Sequence, residues 1–140
     1  MKRICIVDSH SGGIGMALIR SLKETYGESI EMIALGTNAI AASMMLKVGA
    51  NRAASGENAI VQTVKHVDVI IGAISISWAN AALGEVTPRM AEAIMSSPAP
   101  KLFIPLSQEP VAIIGVTAQP LPHLVKQLVN EKLKEVLHDV

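Results

Sequence analysis

The stretch that decides the fold lies at residues 4–15 and reads ICIVDSHSGGIG. Residues 4–7 are all apolar, which is typical of a strand buried on both faces of a parallel sheet. Small and polar residues follow, and apolar residues at helical spacing then predict a helix over residues 14–26. A strand, a glycine-rich turn and a helix in this order direct free backbone N–H groups and the positive end of a helix dipole at one point.

This layout predicts a site for a nucleotide or another small phosphorylated ligand. The residues expected to bind its phosphate are Ser9, Ser11, Gly12, Gly13, Ile14 and Gly15. Glycines let the ligand approach the backbone closely and let the helix pack tightly on the sheet. No set of residues elsewhere in the chain indicates a reaction, so catalytic residues stay unassigned.

Strand and helix patterns alternate along the rest of the chain. Strands are predicted at 30–35, 51–55, 69–73, 101–106 and 111–116, and helices at 39–48, 57–66, 88–95 and 122–137. Only four residues separate the last two strands, too few for a right-handed crossover, so we expect an antiparallel hairpin there. The sequence therefore predicts an α/β fold: one three-layer, Rossmann-like, doubly wound domain over residues 1–140. Its sheet is mostly parallel, with a C-terminal antiparallel hairpin strand and a final helix.

Composition excludes several classes of protein. The chain has 140 residues and a formal net charge of zero, from 12 basic and 12 acidic residues without a basic cluster, so a nucleic-acid surface is not expected. No apolar run reaches the ~18–20 residues that a membrane span needs. We expect a cytoplasmic protein that forms a homodimer or a higher homo-oligomer, because near-zero charge favours association. The single cysteine and the four scattered histidines predict no metal site.

A short repeat marks the predicted turns between strands and helices. GTNAI at 36–40 recurs as GENAI at 56–60, and Asn80 begins a partial third copy. Such turns meet at the carboxyl edge of a parallel sheet, where ligands bind. Thr37, Asn38, Asn58, Asn80 and the nearby Trp78 are therefore candidates to hold a sugar or a base. Alternatively the asparagines only cap helices, and Trp78 anchors a subunit contact.

The segment from Ser9 to Gly27 resembles the first βα unit of short-chain dehydrogenase-type nucleotide-binding domains. The matching positions are Gly13, Ile14, Gly15, Ala17, Leu22 and Gly27. The resemblance covers about a fifth of the chain and implies an NAD(P)-type dinucleotide. Two departures weigh against the family's reaction: no ribose-binding carboxylate follows the second strand, and Tyr26 lacks the lysine four residues on.

Two further cofactors match parts of the same loop. Asp8, His10 and Gly13 are similar to the cobalamin-binding pattern Asp-x-His-x-x-Gly, in which the aspartate orients a cobalt-ligating histidine. Ser9, Ser11 and Gly12 resemble the hydroxyl-rich phosphate loop of flavodoxins, which implies FMN. A flavin needs aromatic walls, for which Trp78 is the candidate.

Over nearly its full length the chain resembles a family of small bacterial proteins known only as a domain of unknown function. The resemblance rests on IVD at 6–8, GGIG at 12–15, ALGTNAI at 34–40, GENAIV at 56–61 and LGEVTP at 83–88. It implies no activity. Besides ligand binding, two hypotheses stay open: a non-catalytic assembly module that keeps the Rossmann skeleton, and an enzyme whose site surrounds Glu57, Glu85 and Trp78.

Overall fold

A computed structural model describes residues 1–139, with side chains described for residues 1–138. The strands are β1 (Lys2–Asp8), β2 (Ile30–Gly36), β3 (Arg52–Ser55), β4 (Val69–Ala73) and β5 (Lys101–Ile104). The helices are α1 (Gly13–Tyr26), α2 (Ala39–Lys47), α3 (Glu57–Thr63), α4 (Pro88–Ser96), α5 (Leu121–Gln127) and α6 (Leu133–Asp139). A π-helical turn, Leu128–Lys132, joins the last two helices into one continuous C-terminal helical segment.

The five strands form one parallel sheet in the order β3-β2-β1-β4-β5. The chain runs outward from β1 to β3 and then returns to the other side of β1 as β4. The strand order therefore reverses between β1 and β4. In open parallel sheets, ligands bind in the crevice at the carboxyl ends of the strands at such a switch point.

Two apolar clusters cover the two faces of the sheet and make the three predicted layers. Helices α1 and α2 and the C-terminal helical segment pack on one face, around Ile4, Ile6, Leu18, Met32 and Met45. Helices α3 and α4 cover the other face around Cys5, Val7, Ile60, Ile70 and Ile94. Strands β1 and β4 are buried on both faces, as their continuous apolar runs predict.

The predicted antiparallel hairpin is wrong. Strand β5 pairs in parallel with β4, from which α4 provides the crossover, and residues 111–116 form no strand. The apolar run VAIIGV has strand-like composition, but Pro110 precedes it without a backbone N–H, and Gly115 takes a left-handed φ of 89° that ends an extended backbone. The side chain of Ile114 is 95% exposed as a result.

Within residues 1–139, no helix combines the length and the apolar composition that crossing a lipid bilayer requires.

Candidate functional site

A cavity of about 320 Å³ opens at the switch point, at the carboxyl ends of β1 and β4. We call it the edge cavity. Its lining residues are Asp8, Ser9, His10, Ser11, Gly13, Ile14, Ala73, Ser75, Ala82, Leu106, Ser107, Gln108 and Glu109. Four of the six predicted phosphate-binding residues are among them. The loop after β1 thus lies where a strand–turn–helix unit places a ligand site.

Asp8 ends β1 and closes the start of α1 with its own carboxylate. One carboxylate oxygen accepts a hydrogen bond from the Gly15 N–H at 2.7 Å, and the other accepts from the Ser9 N–H at 2.8 Å. Burial raises the pKa of Asp8, although these backbone hydrogen bonds act to lower it. The carboxylate occupies the position at the Gly15 amide that a phosphate oxygen was expected to take.

The three glycines of the loop are required to different degrees by backbone conformation and packing. Gly12 has a φ of 79°, and a Cβ there would lie 3.1 Å from the Ala41 carbonyl oxygen. A Cβ on Gly15 would collide with the Met45 sulfur. Gly13 needs no positive φ, and a Cβ there would meet nothing within 4 Å. Packing therefore explains the first and last glycines, while Gly13 is open to the edge cavity.

Unbonded polar groups remain on this wall of the edge cavity. Ser9 is only 9% exposed as a residue, and its hydroxyl has no hydrogen-bond partner among the described residues; the hydroxyl oxygen itself stays accessible, since no fully buried side-chain oxygen there lacks a partner. The backbone N–H groups of Ser11 and Gly13 also have no hydrogen-bond partner within residues 1–139. Hydroxyl and amide groups in this state are available to a ligand.

Glu85 ties the turns after β1 and β2 to the loop 78–86. One of its oxygens accepts hydrogen bonds from the Thr37 hydroxyl at 2.7 Å, the Asn38 side-chain amide at 2.7 Å and the His10 N–H at 3.0 Å. Its other oxygen lies 3.2 Å from His10 Nδ1. Burial acts to raise the pKa of Glu85, but these hydrogen bonds lower it below its ordinary value. We call these four residues the Glu85 network.

Thr37 and Asn38 are therefore bonded inside the protein. Asn38 also caps α2, because its side-chain oxygen accepts from the Ala41 N–H at 2.9 Å. Sequence reasoning missed the part that Glu85 plays, because it considered Glu85 as a member of an enzyme site with Glu57 and Trp78. The signal was present in the pairing of two motifs, since LGEVTP supplies the acceptor and GTNAI supplies the donors.

The loop 78–86 holds an unusual backbone over the edge cavity. Asn80, Ala82 and Leu83 all have positive φ values, of 68°, 56° and 56°. Each left-handed non-glycine residue costs about 1 kcal/mol or more, so contacts must hold the loop in place. Glu85 anchors one end, and the Ala82 N–H donates to Glu109 at 2.8 Å.

The other predicted residues do not converge with the glycine loop. Asn58 and Asn80 are exposed, and neither lines the edge cavity. Trp78 is half-buried against the second apolar cluster, beside the shallow groove that includes Asn80. Glu57 accepts a hydrogen bond from the Thr87 hydroxyl at 2.7 Å, which ties α3 to α4. An arrangement of three asparagine amides around one ligand is absent from the part of the chain that the structure describes.

None of the three cofactors finds all of its expected contacts in the edge cavity. A dinucleotide phosphate would meet a Gly15 amide already bonded to Asp8. The pairing of Asp8 with His10 that a cobalamin site needs does not form, since Glu85 and not Asp8 contacts the imidazole. Trp78 does not line the edge cavity, so it provides no wall for a flavin there. The residues present do not fit cobalamin or FMN at this position.

A larger cavity, of about 460 Å³, lies between β5 and the C-terminal helical segment. Its walls include Leu102, Phe103, Leu124 and Leu128, and it has none of the loop residues 8–15. It lies beside the last strand of the sheet and away from the switch point. Volume alone therefore does not identify the site.

One family of proteins matches residues 3–137 of the chain. The chain belongs to that family, which is described as Domain of unknown function (DUF3842). The match confirms the resemblance seen in the motifs from IVD to LGEVTP. No functionally curated protein matches the chain.

Two solved structures are similar to this DUF3842 chain. One is described as a dodecameric FMN-dependent Ubix-like decarboxylase from Escherichia coli O157:H7, at 14% identity and a TM-score of 0.45, covering 96% of this chain and 93% of the other. The second is an arsenate reductase in the intermediate state, at 14% identity and a TM-score of 0.44, covering 99% and 98%. A likeness at this level carries no argument about activity, ligand or assembly.

Proposed function

We propose that this protein binds a small polar metabolite in the edge cavity. The observation that carries the proposal is Gly13, a glycine that neither its φ nor its packing requires and that leaves the cavity wall open. The unpartnered hydroxyl of Ser9 lies on the same wall. Ligand cavities range from about 300 to 1,000 Å³, so a volume of about 320 Å³ favours a small ligand, or one end of a nucleotide.

If the ligand is a nucleotide or another phosphometabolite, fewer groups can bind its phosphate than the sequence predicted. Because Asp8 takes the Gly15 N–H, an anion would use the free N–H groups of Ser11 and Gly13 and the serine hydroxyls. Thr37 and Asn38 would support the loop through the Glu85 network without touching the ligand. An NAD(P)-type dinucleotide would place only one part in the edge cavity.

A thermal-shift screen tests the proposal with NAD, NADP, FMN, ATP, cobalamin and S-adenosylmethionine. A ligand at about a hundred times its dissociation constant stabilises the folded state by ~2.7 kcal/mol. Gly13→Val, which fills open space on the wall, should abolish the shift while the variant stays folded. Arg20→Val is the matched control, because it adds the same side chain to an exposed position of α1. A shift that persists unchanged in Gly13→Val contradicts the proposal.

Assembly is the second candidate function, and exposed apolar side chains favour it. Leu83 is 97% exposed, Ile114 95% and Ile40 67%. Apolar groups on a surface mark contacts with other proteins when they form a continuous patch. Sedimentation equilibrium should then give a homodimer or a larger homo-oligomer, which Leu83→Asp or Ile114→Asp dissociates. A monomer at all protein concentrations contradicts this candidate.

A further inference from the structure

We propose that the edge cavity selects a primary ammonium group on its ligand, and does not select a phosphate. The inference rests on the proposed function, because it assigns the chemistry of the same cavity. Glu109 and the hydroxyl of Ser9 are the groups that would receive the ammonium, and Asp8 adds negative charge beside them.

The charge of the lining is the first reason. Two of the thirteen lining residues, Asp8 and Glu109, are carboxylates, and none is lysine or arginine. His10 also lines the cavity, but its Nδ1 lies 3.2 Å from Glu85 and is paired there. The N-terminus of α1 carries about half a positive charge, which offsets only part of the charge of the Asp8 carboxylate. The cavity therefore has an excess of negative charge, which repels a phosphate and attracts a cation.

The second reason is the set of acceptors that remain free. Ser9 is more than nine-tenths buried, and its hydroxyl has no partner within residues 1–139. One Glu109 oxygen accepts from the Ala82 N–H, and the other has no partner among the described residues. The Asp8 oxygens accept from the Ser9 and Gly15 N–H groups, and the Ile14 N–H acts on the same carboxylate, so Asp8 contributes its charge and not a free acceptor. An ammonium has three N–H donors and no acceptor, so it can donate to both the Ser9 hydroxyl and the free Glu109 oxygen.

Three probes with one carbon skeleton test the charge preference: 3-amino-1,2-propanediol, glycerol and glycerol 3-phosphate. Their binding is followed by NMR through the backbone N–H signals of Ser9, Ser11 and Gly13. The amine should bind at least about tenfold more tightly than glycerol, because it adds an attraction between opposite charges in a cavity partly removed from solvent. Glycerol 3-phosphate should bind most weakly.

Glu109→Gln separates charge from shape. Glutamine keeps an oxygen that accepts from the Ala82 N–H but removes the negative charge, so amine binding should weaken about tenfold while glycerol binding is unchanged. Glu24→Gln, on the exposed face of α1, is the matched control and should change neither.

Each other outcome overturns the inference. Tighter binding of glycerol 3-phosphate than of the amine reverses the charge preference and leaves the proposed cavity in place. Amine binding that Glu109→Gln does not weaken removes the assigned acceptor. If none of the three probes shifts the loop signals, the ammonium site is absent. The proposed function then still stands if a nucleotide gives a thermal shift that depends on Gly13.

Discussion

Asp8 and Glu85 lie at the same carboxyl edge of the sheet, yet one carboxylate stabilises its own βα unit and the other links separate segments of the chain. Asp8 is 5% exposed and accepts from two backbone N–H groups within its own βα unit. The Glu85 side chain is 29% exposed and joins three separate segments through Thr37, Asn38 and His10. Burial raises the pKa of Asp8, whereas hydrogen bonds from several donors overcome burial and lower the pKa of Glu85.

The comparison shows that a carboxylate at the carboxyl edge of a parallel sheet can hold the fold together without being a ligand or a general base. Asp8 fixes the start of a helix, and Glu85 holds a strained loop in place. What is left for a ligand lies between them, on Gly13, Ser9 and Glu109. The predictions below test that division, beginning with the largest expected effect.

Asp8→Ala should destabilise the protein by about 3 kcal/mol. It leaves the N–H groups of Ser9 and Gly15 without an acceptor at a buried helix start, and an unsatisfied buried donor costs about 1–3 kcal/mol. Urea unfolding monitored by circular dichroism measures the loss. A loss below about 1 kcal/mol would mean that water replaces the carboxylate easily and that Asp8 is free for a ligand.

Gly15→Ala should cost about 2 kcal/mol, because the added methyl collides with Met45 and overpacking of a core costs about 1–3 kcal/mol. Gly13→Ala is the matched control, since a Cβ there meets open space, and alanine is favoured over glycine in a helix by up to about 1 kcal/mol. The same unfolding experiment should therefore rank Gly13→Ala at or above the wild type. Equal losses at both positions would contradict the distinction between a packing glycine and a ligand-facing one.

Glu85→Ala should cost less, about 1 kcal/mol in global stability, because the side chain is partly exposed and solvent replaces some of its hydrogen bonds. Its main effect should be local. Hydrogen exchange at the His10 N–H and across the loop 78–86 should accelerate, since Glu85 holds the left-handed residues Ala82 and Leu83 in place. Unchanged hydrogen-exchange rates in that loop would show that its left-handed backbone conformation does not depend on Glu85.

The dependence of stability on pH should show the smallest effect. The pKa of Glu85 is lower in the folded protein than its ordinary value of 4.5, so its contribution is complete above pH 4.5 and is lost as the pH falls through the folded pKa. The difference in unfolding free energy between wild type and Glu85→Gln should therefore shrink below pH 4.5. The pH dependence that Asp8 contributes has the opposite sign: because its pKa is raised in the folded protein, its contribution to stability is largest at low pH and falls as the pH rises. A difference that is constant from pH 7 to pH 3 contradicts this assignment.

Much of the fold could be predicted from the sequence because its signals are local. The apolar run of β1 and the glycines around Gly13 specify a strand, a turn and a helix without help from distant residues. The predicted strands over 30–35 and 69–73 agree with the structure within one residue. The strand predicted over 111–116 failed because its apolar composition was given more weight than Pro110 and Gly115, which interrupt an extended backbone there.

The site was harder to predict for a related reason. Hydrogen bonds between residues far apart in the chain decide it, such as those from Thr37 and Asn38 to Glu85. The loop after β1, which the sequence predicted to bind a ligand, lines the edge cavity. An aspartate directly after a strand favours a cap of the turn over a ligand contact, and the bond from the Gly15 N–H to Asp8 is such a cap. The phosphate predicted at the same amide did not take this competition into account.

Cys5 lies in the middle of β1, completely buried in the second apolar cluster, and burial raises the pKa of its thiol to about 12. Only the thiolate reacts with alkylating reagents. The folded protein therefore protects this sulfur in two ways: burial keeps the reagent away from it, and the raised pKa keeps it protonated. Alkylation by iodoacetamide therefore requires opening of the central strand. The rate at which this one thiol is alkylated therefore measures how often the sheet that carries the edge cavity opens.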